Sequence, residues 1–195
     1  MKTSVILKMT SATSPAPQVV TCGTYNNSFP AWKAFDKVTD GYDNRWYSNE
    51  TKSDWIKINL GEQKIINCFS ISTGVGSGSP GSLGQYTAPK IFTLQGSNDD
   101  ITYINLKSFT ETSWKSNKET KTYVLDKNEK YQYYKLYIAS NNGGYSVSIG
   151  ELDLLFDDKL YHVSQKIKED VINEIKNTLN KYSDSILLVN IEGDN

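Results

Sequence analysis

The sequence predicts an all-β fold, an antiparallel β-sandwich, followed by a C-terminal α-helical appendage. In residues 54–60 and 132–139 apolar side chains alternate with polar ones, and a repeat of two residues is typical of strands buried on one face. Many such short segments follow one another, separated by turn residues and not by helices, which favours an antiparallel sandwich over a parallel sheet. The residues expected on the buried face are Ile56, Ile58 and Leu60 in the first segment and Tyr134, Leu136 and Ile138 in the second.

We divide the chain into an N-terminal arm and linker (1–17), the sandwich (18–157) and a C-terminal helical segment (158–195). The arm ends in a Ser-, Thr-, Ala- and Pro-rich run that is typical of linkers. Strands are expected near residues 18–23, 54–60, 64–72, 90–97, 102–109, 120–125, 132–139 and 147–156. The longest connection, residues 74–89, is so rich in Gly and Ser that we expect a mobile loop with no packed element. Long loops on rigid sandwiches often carry function.

The C-terminal segment has the spacing of an amphipathic helix. Apolar residues recur every three or four positions opposite Lys and Glu, at Val163, Ile167, Val171, Ile175, Leu179 and Tyr182. Two interpretations stay open: the helix folds back on the sandwich, or it is an oligomerisation element that joins copies of the chain.

Composition argues against two classes of partner. The net charge is −1 and Arg45 is the single arginine, whereas a nucleic-acid binder normally shows a basic stripe. No run approaches the ~20 apolar residues that a membrane span requires. The first residues contain an apolar run of only Val5 to Leu7, too short for a secretory signal.

Catalysis is not indicated by any motif. The sequence has no nucleophile elbow, no His-rich metal motif and no phosphate-binding glycine loop. His162 is the only histidine and lies in the C-terminal segment, outside the sandwich. We therefore expect a protein that is not an enzyme.

The segment AFDKVTDGYDNRW, residues 34–46, is rich in side-chain oxygens. Calcium takes six to eight oxygen ligands and tolerates irregular loops, so the segment suits a calcium site. Asp, Asn and Gly are also common in solvated turns, which is the alternative. The candidate oxygens belong to Asp36, Thr39, Asp40, Asp43 and Asn44.

The tryptophans differ in their surroundings. Trp32 and Trp46 are expected to pack in the core, and Trp55 to be half-buried at the start of a strand. Trp114 lies in a polar hairpin, TETSWKSNKET. It either stacks on a sugar ring or anchors the loop.

Five motifs occur in a characteristic order: AFD…NRW, DWIKINLG, FTLQGSNDD, YYKLYIASNNG and IGELDLL. In this order they resemble the discoidin or coagulation factor 5/8 type C domain, whose bacterial relatives include family 32 carbohydrate-binding modules. The resemblance covers residues 18–156 and implies a galactose-binding-domain-like jelly roll.

The resemblance also implies a structural calcium ion that joins two distant loops. By motif, Asp36 and Glu151 would supply carboxylates and Lys33 a backbone carbonyl, and Asn44 stands where the family usually has Thr or Ser. The loop is about three residues longer than the common pattern, so Asp40 or Asp43 would take one of the ligand places.

Ligands of the resembled family bind among loops at one end of the sandwich. Here the corresponding loops supply Tyr25, Asn26 and Asn27, Gln85 and Tyr86, and Asn141, Asn142 and Tyr145, with Arg45 and Asn49 near the first motif. The resemblance therefore implies a non-catalytic module that recognises cell-surface glycans. The N-terminal residues are similar to modules of phage and prophage tail proteins, which implies an extracellular or virion-associated location.

Two other functions are weighed beside glycan recognition. The first is phospholipid binding, as in the animal coagulation-factor domains, with Leu83 and Tyr86 as apolar spikes. The second is a structural role in docking to a larger assembly, in which the helix matters most.

Overall fold

A computed structural model describes residues 1–24, 26–49, 51–76 and 80–192, without the side chains of residues 80 and 183–192. The chain forms two compact units, Met1–Asp157 and Asp158–Asn195. The first unit contains the strands and the second is helical, so the described fold is mainly antiparallel β with a C-terminal helix. The predicted fold class is confirmed.

Eleven strands lie within the described part of the first unit. They are β1 (Lys2–Ser4), β2 (Val19–Cys22), β3 (Trp46–Tyr47), β4 (Asp54–Ile65), β5 (Cys68–Ser72), β6 (Pro89–Ser97), β7 (Ile104–Thr110), β8 (Thr120–Val124), β9 (Lys130–Asn141), β10 (Ser148–Ile149) and β11 (Glu151–Asp157). A four-stranded sheet has the order β1-β11-β5-β8, and a five-stranded sheet has the order β2-β4-β9-β6-β7. A small β3-β10 pair completes the unit.

The core lies between the two larger sheets. As the alternation predicted, Ile56, Ile58 and Leu60 of β4 and Tyr134, Leu136 and Ile138 of β9 are buried. An aromatic cluster joins both sheets at Phe69, Phe92, Phe109 and Tyr123, with ring centroids 5.0–6.5 Å apart. Such edge-to-face and offset pairs add to the stability gained by burial, so the sandwich is a rigid support for its loops.

The N-terminal residues differ from the predicted arm, because they belong to the first unit. Strand β1 pairs antiparallel with β11, and Ile6 and Met9 are buried in the core. The buried Gln18 side chain accepts from the Leu7 amide at 2.9 Å and donates to the Val5 carbonyl at 3.3 Å. The Pro-rich run is therefore folded back on the sandwich and does not separate two domains.

The prediction that residues 74–89 contain no packed element is wrong. The segment includes a 3₁₀ helix, Pro80–Ser82, and a short helix α1, Gly84–Thr87. A Cβ on Gly84 would lie 2.0 Å from the Gly74 carbonyl oxygen, so only glycine permits this close approach. Asn117 Oδ1 accepts from the Gly84 amide at 2.7 Å. The glycines thus allow compact folding, and residues 77–79 lie outside the described part.

The described part of the second unit is a single helix, α2, Asp158–Glu192. The predicted apolar residues lie on it, and their exposed fractions run from 49% to 65%. They are Val163, Ile167, Val171, Ile175, Leu179 and Tyr182. No helix among the described residues is long and apolar enough to cross a bilayer.

Candidate functional site

Three connections meet at one end of the sandwich: residues 23–53, residues 73–88 and residues 142–147. Strands β3 and β10 pair the first with the third, because Trp46 lies opposite Ile149. Beside this pair, the Ser48 amide donates to the Val147 carbonyl at 2.9 Å, and the Val147 amide donates to Thr51 O at 2.9 Å. The shared end brings together most of the residues proposed for ligand binding.

The second and third connections are joined by backbone hydrogen bonds. The Gly144 amide donates to Tyr86 O at 2.8 Å, and the Tyr145 amide donates to Gly81 O at 3.0 Å. The Asn142 amide donates to Ala88 O at 3.0 Å. These bonds fix the two segments beside each other without using the tyrosine side chains.

Two tyrosines project from these joined segments, and we call them the tyrosine pair. Tyr145 is 61% exposed and Tyr86 is 39% exposed. The Tyr145 ring lies against Gly81, where a Cβ would come 2.7 Å from a ring carbon. Exposed rings on a fixed backbone are suited to stacking on the apolar face of a sugar.

The asparagines of the third connection hold its shape. Asn141 is buried, and its Nδ2 donates to Gly144 O at 2.9 Å and to Ser146 O at 2.8 Å. Asn142 Nδ2 donates to the Gln85 carbonyl at 3.0 Å. Gln85 Oε1 is buried with no hydrogen-bond partner among the described residues. Asn142 and Gln85 therefore lie beside the tyrosine pair, with the amide group of Asn142 committed to the backbone.

Arg45 was expected at the ligand rim, but the structure buries it at 1% exposure. Its guanidinium lies 4.3 Å from the Tyr42 ring centroid, 4.8 Å from Phe29 and 5.0 Å from Tyr47. The Nη1 group donates to the Val75 carbonyl. Burial lowers the pKa of Arg45, and the neighbouring Tyr42 opposes this. Arg45 thus joins the first two connections from inside, because rings stabilise a buried cation that water no longer reaches.

The first connection is also held by short-range hydrogen bonds. Asn26 Oδ1 accepts from the Ser28 amide at 3.0 Å and the Phe29 amide at 3.2 Å, a turn that Asn commonly stabilises. The Asn49 amide donates to Thr24 Oγ1 at 3.0 Å. Tyr25 was also proposed as a ligand contact, and it lies outside the described residues.

The structure brings Asp36 and Glu151 together, as the calcium hypothesis requires. The Lys37 amide, next to Asp36, donates to Glu151 Oε2 at 3.0 Å. Asp36 Oδ1 accepts from the Val38 amide at 2.9 Å. Both carboxyl groups are buried, and Glu151 Oε1 has no hydrogen-bond partner among the described residues. We call Asp36 and Glu151 the carboxyl pair.

Burial changes the acidity of the carboxyl pair. It raises the pKa of Glu151 to about 9; the Lys37 charge opposes this and the Asp36 charge adds to it. Burial likewise raises the pKa of Asp36, against the hydrogen bond from Val38 and the charge of Lys33. A bound cation would favour the ionised form of both groups. Hard carboxylate oxygens, one of them without a hydrogen bond and 3.9 Å from the Lys37 ammonium, therefore suit a cation such as calcium.

Asn44 and Asp40, the other side chains predicted as metal ligands, each contact a lysine. Lys33 Nζ donates to Asn44 Oδ1 at 3.0 Å and lies 3.7 Å from Asp36 Oδ2, so an ammonium already contacts two of the proposed ligands. The Asp40 carboxylate is exposed and pairs with Lys118. In the described part of the chain, no three Asp, Glu, His or Cys side chains come together as a metal cluster. Asp40 thus does not complete a three-carboxylate set with the carboxyl pair.

The position of Trp114 decides between the two roles considered for it, sugar stacking and loop anchoring. Trp114 is buried, and its Nε1 donates to the Pro89 carbonyl at 2.9 Å. Lys121 Nζ lies 4.6 Å from its ring centroid. Trp114 therefore anchors the hairpin and does not present a face to a sugar.

Sequence reasoning missed the rings around Arg45. Phe29 and Tyr42 have centroids 5.5 Å apart, and Phe29 and Tyr47 have centroids 5.7 Å apart. A signal was present, because Tyr42 and Tyr47 flank the only arginine within three residues.

Comparisons with known proteins agree with this architecture. The profile of the F5/8 type C domain matches residues 12–152. The chain belongs to the F5/8 type C domain family. Among curated proteins, a sequence comparison finds no match.

Solved structures with the same fold as this F5/8 type C domain include carbohydrate-binding modules. The family 32 module of Clostridium perfringens NanJ, in complex with galactose, is 16% identical with a TM-score of 0.60, over 80% of this chain and 99% of that one. CpGH89CBM32-5 from Clostridium perfringens, in complex with GalNAc-β-1,3-galactose, is 19% identical with a TM-score of 0.57, over 72% and 95%. The family 32 module of Streptococcus pneumoniae EndoD is 15% identical with a TM-score of 0.57, over 72% and 97%.

Proposed function

We propose that this F5/8 type C domain is a non-catalytic carbohydrate-binding module that recognises glycans at the loop end of its sandwich. The observation that carries the proposal is the tyrosine pair, whose exposed rings are held on backbone segments joined by the Gly144–Tyr86 and Tyr145–Gly81 hydrogen bonds. The galactose and GalNAc-galactose complexes of the structural neighbours support a glycan as the ligand class. Glycans of a cell surface are the natural partners of such a module, and we place its action outside the cell or on a virion.

A glycan array with the wild-type chain, followed by calorimetry on the best ligand, tests this function. Tyr145→Ala and Tyr86→Ala should each weaken binding about tenfold or more, since a lost stacking contact of about 1.5 kcal/mol corresponds to that factor. Val124→Ala is the control, because Val124 is 45% exposed and lies on β8 of the four-stranded sheet, outside the three connections. Equal affinity of all three variants and the wild type would refute the proposed site. Binding to anionic liposomes without any glycan binding would favour the phospholipid function instead.

We propose further that the carboxyl pair holds a structural calcium ion. Asp36 and Glu151 would supply carboxylate oxygens, with the Lys33 carbonyl and Asn44 as further candidates, and the ion would fasten residues 36–37 to β11. Support comes from the buried Oε1 of Glu151, which accepts no hydrogen bond from the described residues and has only the Lys37 ammonium 3.9 Å away. Calcium at about 100 times its dissociation constant should stabilise the fold by about 2.7 kcal/mol, measured as a rise in melting temperature that chelator reverses. An equal rise with Asp36→Asn would exclude this site.

We also propose that α2 joins copies of the chain. Its regularly spaced apolar residues are about half exposed or more, and an amphipathic helix gains stability when such a face is covered. Analytical ultracentrifugation should show an oligomer that Ile167→Asn with Ile175→Asn converts to monomer. The control is Glu169→Gln, a change of similar size at an exposed polar position of the same helix. A monomeric wild type at high concentration would end this proposal.

A further inference from the structure

A shallow pocket of about 320 Å³ lies on the five-stranded sheet, away from the tyrosine pair and the carboxyl pair. Lys57 of β4 lies opposite Lys135 of β9. The turn between β6 and β7 forms the rim. The lining residues are Trp55, Lys57, Asp100, Ile101, Tyr103 and Lys135. The proposed glycan site uses none of them.

The rim of this pocket is fixed by its own hydrogen bonds. Asp99 Oδ1 accepts from the Ile101 amide at 2.9 Å, the Thr102 amide at 2.8 Å and Ser97 Oγ at 2.9 Å. These bonds, first of all that from the Ile101 amide, lower the pKa of Asp99 to about 2. Asp100 adopts a positive φ of 60°, which a non-glycine residue keeps only when its surroundings hold it. These bonds therefore preorganise this wall of the pocket for a ligand.

The two lysines of the pocket differ in their partners. Lys57 Nζ lies 2.6 Å from Asp100 Oδ1 and 2.7 Å from Oδ2, and the Tyr103 hydroxyl also donates to Asp100. Lys135 Nζ lies 3.6 Å from the Tyr103 ring centroid. Within the described residues, no carboxylate lies within ion-pair distance of Lys135. Asp100 is thus paired with Lys57, and the ammonium group of Lys135 has no carboxylate partner among the described residues.

The surroundings of Lys135 disfavour the charged form of its ammonium group. Burial lowers the pKa of Lys135, and the neighbouring Lys57 charge lowers it further, against the charge of Asp100. An anion entering the pocket would offset both effects, because it adds the opposite charge where solvent is partly excluded. The pocket therefore favours an anionic ligand over a neutral one.

The side chains that line the pocket indicate which kind of anionic ligand it would bind. Trp55 is half-buried at one side, and Ile101 stands 85% exposed at the rim. A flat ligand with an apolar face and one negative charge matches an aromatic wall beside a partnerless ammonium. We propose that this pocket binds a uronic acid unit of an acidic glycan, with its carboxylate on Lys135 and its ring against Trp55. The site is independent of the tyrosine pair, so either can fail alone.

Nitrogen-15 NMR titration of the full chain tests the site with two matched sugars. Methyl glucuronide and methyl glucoside differ only at the C6 carboxylate. The glucuronide should shift the Trp55 indole signal and the amides of Lys57 and Lys135, and the glucoside should not. Lys135→Gln should weaken glucuronide binding about tenfold, the loss expected for one charge-assisted hydrogen bond. The control Lys107→Gln should leave it unchanged, because Lys107 pairs with Asp126 at 2.6 Å elsewhere.

Other outcomes would overturn the proposal. Equal shifts with acetate would mean a simple anion site, and equal shifts with the glucoside would mean that charge plays no part. Unchanged affinity in a Lys135→Gln variant with a native melting temperature would exclude Lys135. The variant Tyr145→Ala separates the two sites: glucuronide shifts that persist at Trp55 support the pocket, and shifts that disappear assign the sugar to the loops.

Discussion

The Lys37 amide donates a 3.0 Å hydrogen bond to Glu151 Oε2 across a sequence separation of 114 residues. Lys37 has a positive φ of 60°, so its backbone is held in a conformation that side chains disfavour. Lys37 Nζ also pairs with Asp153 at 2.6 Å. This one residue fastens the turn after the first 3₁₀ helix, Ala31–Phe35, to β11 through both its backbone and its side chain.

The pH dependence of the metal-free chain should reveal Glu151. Its pKa is raised to about 9 in the folded state, so the folded chain keeps a proton that the unfolded chain releases above about 4.3. Stability in chelator should therefore fall as the pH rises from about 4.5 towards 9. Glu151→Gln should remove this dependence and melt higher than the wild type at pH 8. The check is a series of thermal melts at different pH values.

With calcium present, the wild type should melt higher than Glu151→Gln, which reverses the order expected in chelator. With saturating calcium at pH 8 the wild type should gain stability and Glu151→Gln should not. Asp126→Asn, at an exposed ion pair with Lys107, controls for loss of one negative charge. If Glu151→Gln is destabilised in chelator at pH 8, the carboxyl group is ionised there and the assignment is wrong.

Replacing Arg45 should destabilise the loop end. Arg45→Met keeps the bulk but loses the contacts with three aromatic rings and the hydrogen bond to the Val75 carbonyl. We expect a loss of about 2 kcal/mol in the free energy of unfolding, measured by urea denaturation. Lys107→Met at an exposed ion pair should change it by less than about 0.5 kcal/mol. A neutral effect of Arg45→Met would show that the rings do not stabilise the guanidinium.

Gly81→Ala should weaken glycan binding while leaving the fold stable. The added Cβ would come 2.7–2.9 Å from three carbons of the Tyr145 ring, and this exposed ring can turn away. Affinity should fall about as far as in Tyr145→Ala, with a melting temperature close to that of the wild type. Thr112→Ala, an exposed change on another loop, should have neither effect. Unchanged affinity would mean that the Tyr145 ring position does not matter.

The contribution of the Glu111 carboxylate to folding stability should be lost in acid. Partial burial opposes its ionisation, but bonds from Lys121 and Ser113 outweigh this and lower its pKa to about 2. A carboxyl group with a lowered pKa stabilises the fold above about pH 4.3. This contribution to the free energy of unfolding is lost as the pH falls towards 2. Glu111→Gln should thus be less stable than the wild type at pH 7 and nearly equal to it at pH 2. A difference that does not shrink in acid would contradict this.

The sequence was informative where one physical pattern dominates. Burial of alternate residues in β4 and β9 follows directly from their period of two, and the motif order led to Asp36 beside Glu151. Arg45 was misplaced because its burial depends on rings brought together by folding, chiefly Phe29 from 16 positions earlier. The compact loop at 74–89 was missed because glycine composition alone does not distinguish a flexible chain from a close backbone approach such as Gly84 on Gly74.

The frame around the tyrosine pair does not use the two tyrosine side chains. The bonds Gly144 N to Tyr86 O and Tyr145 N to Gly81 O do not depend on which side chains stand at positions 86 and 145. Under the proposed function, substitution at those two positions should therefore change the preferred sugar while the backbone frame stays in place. A small library randomised at positions 86 and 145 should then yield folded variants that differ in the sugar they prefer.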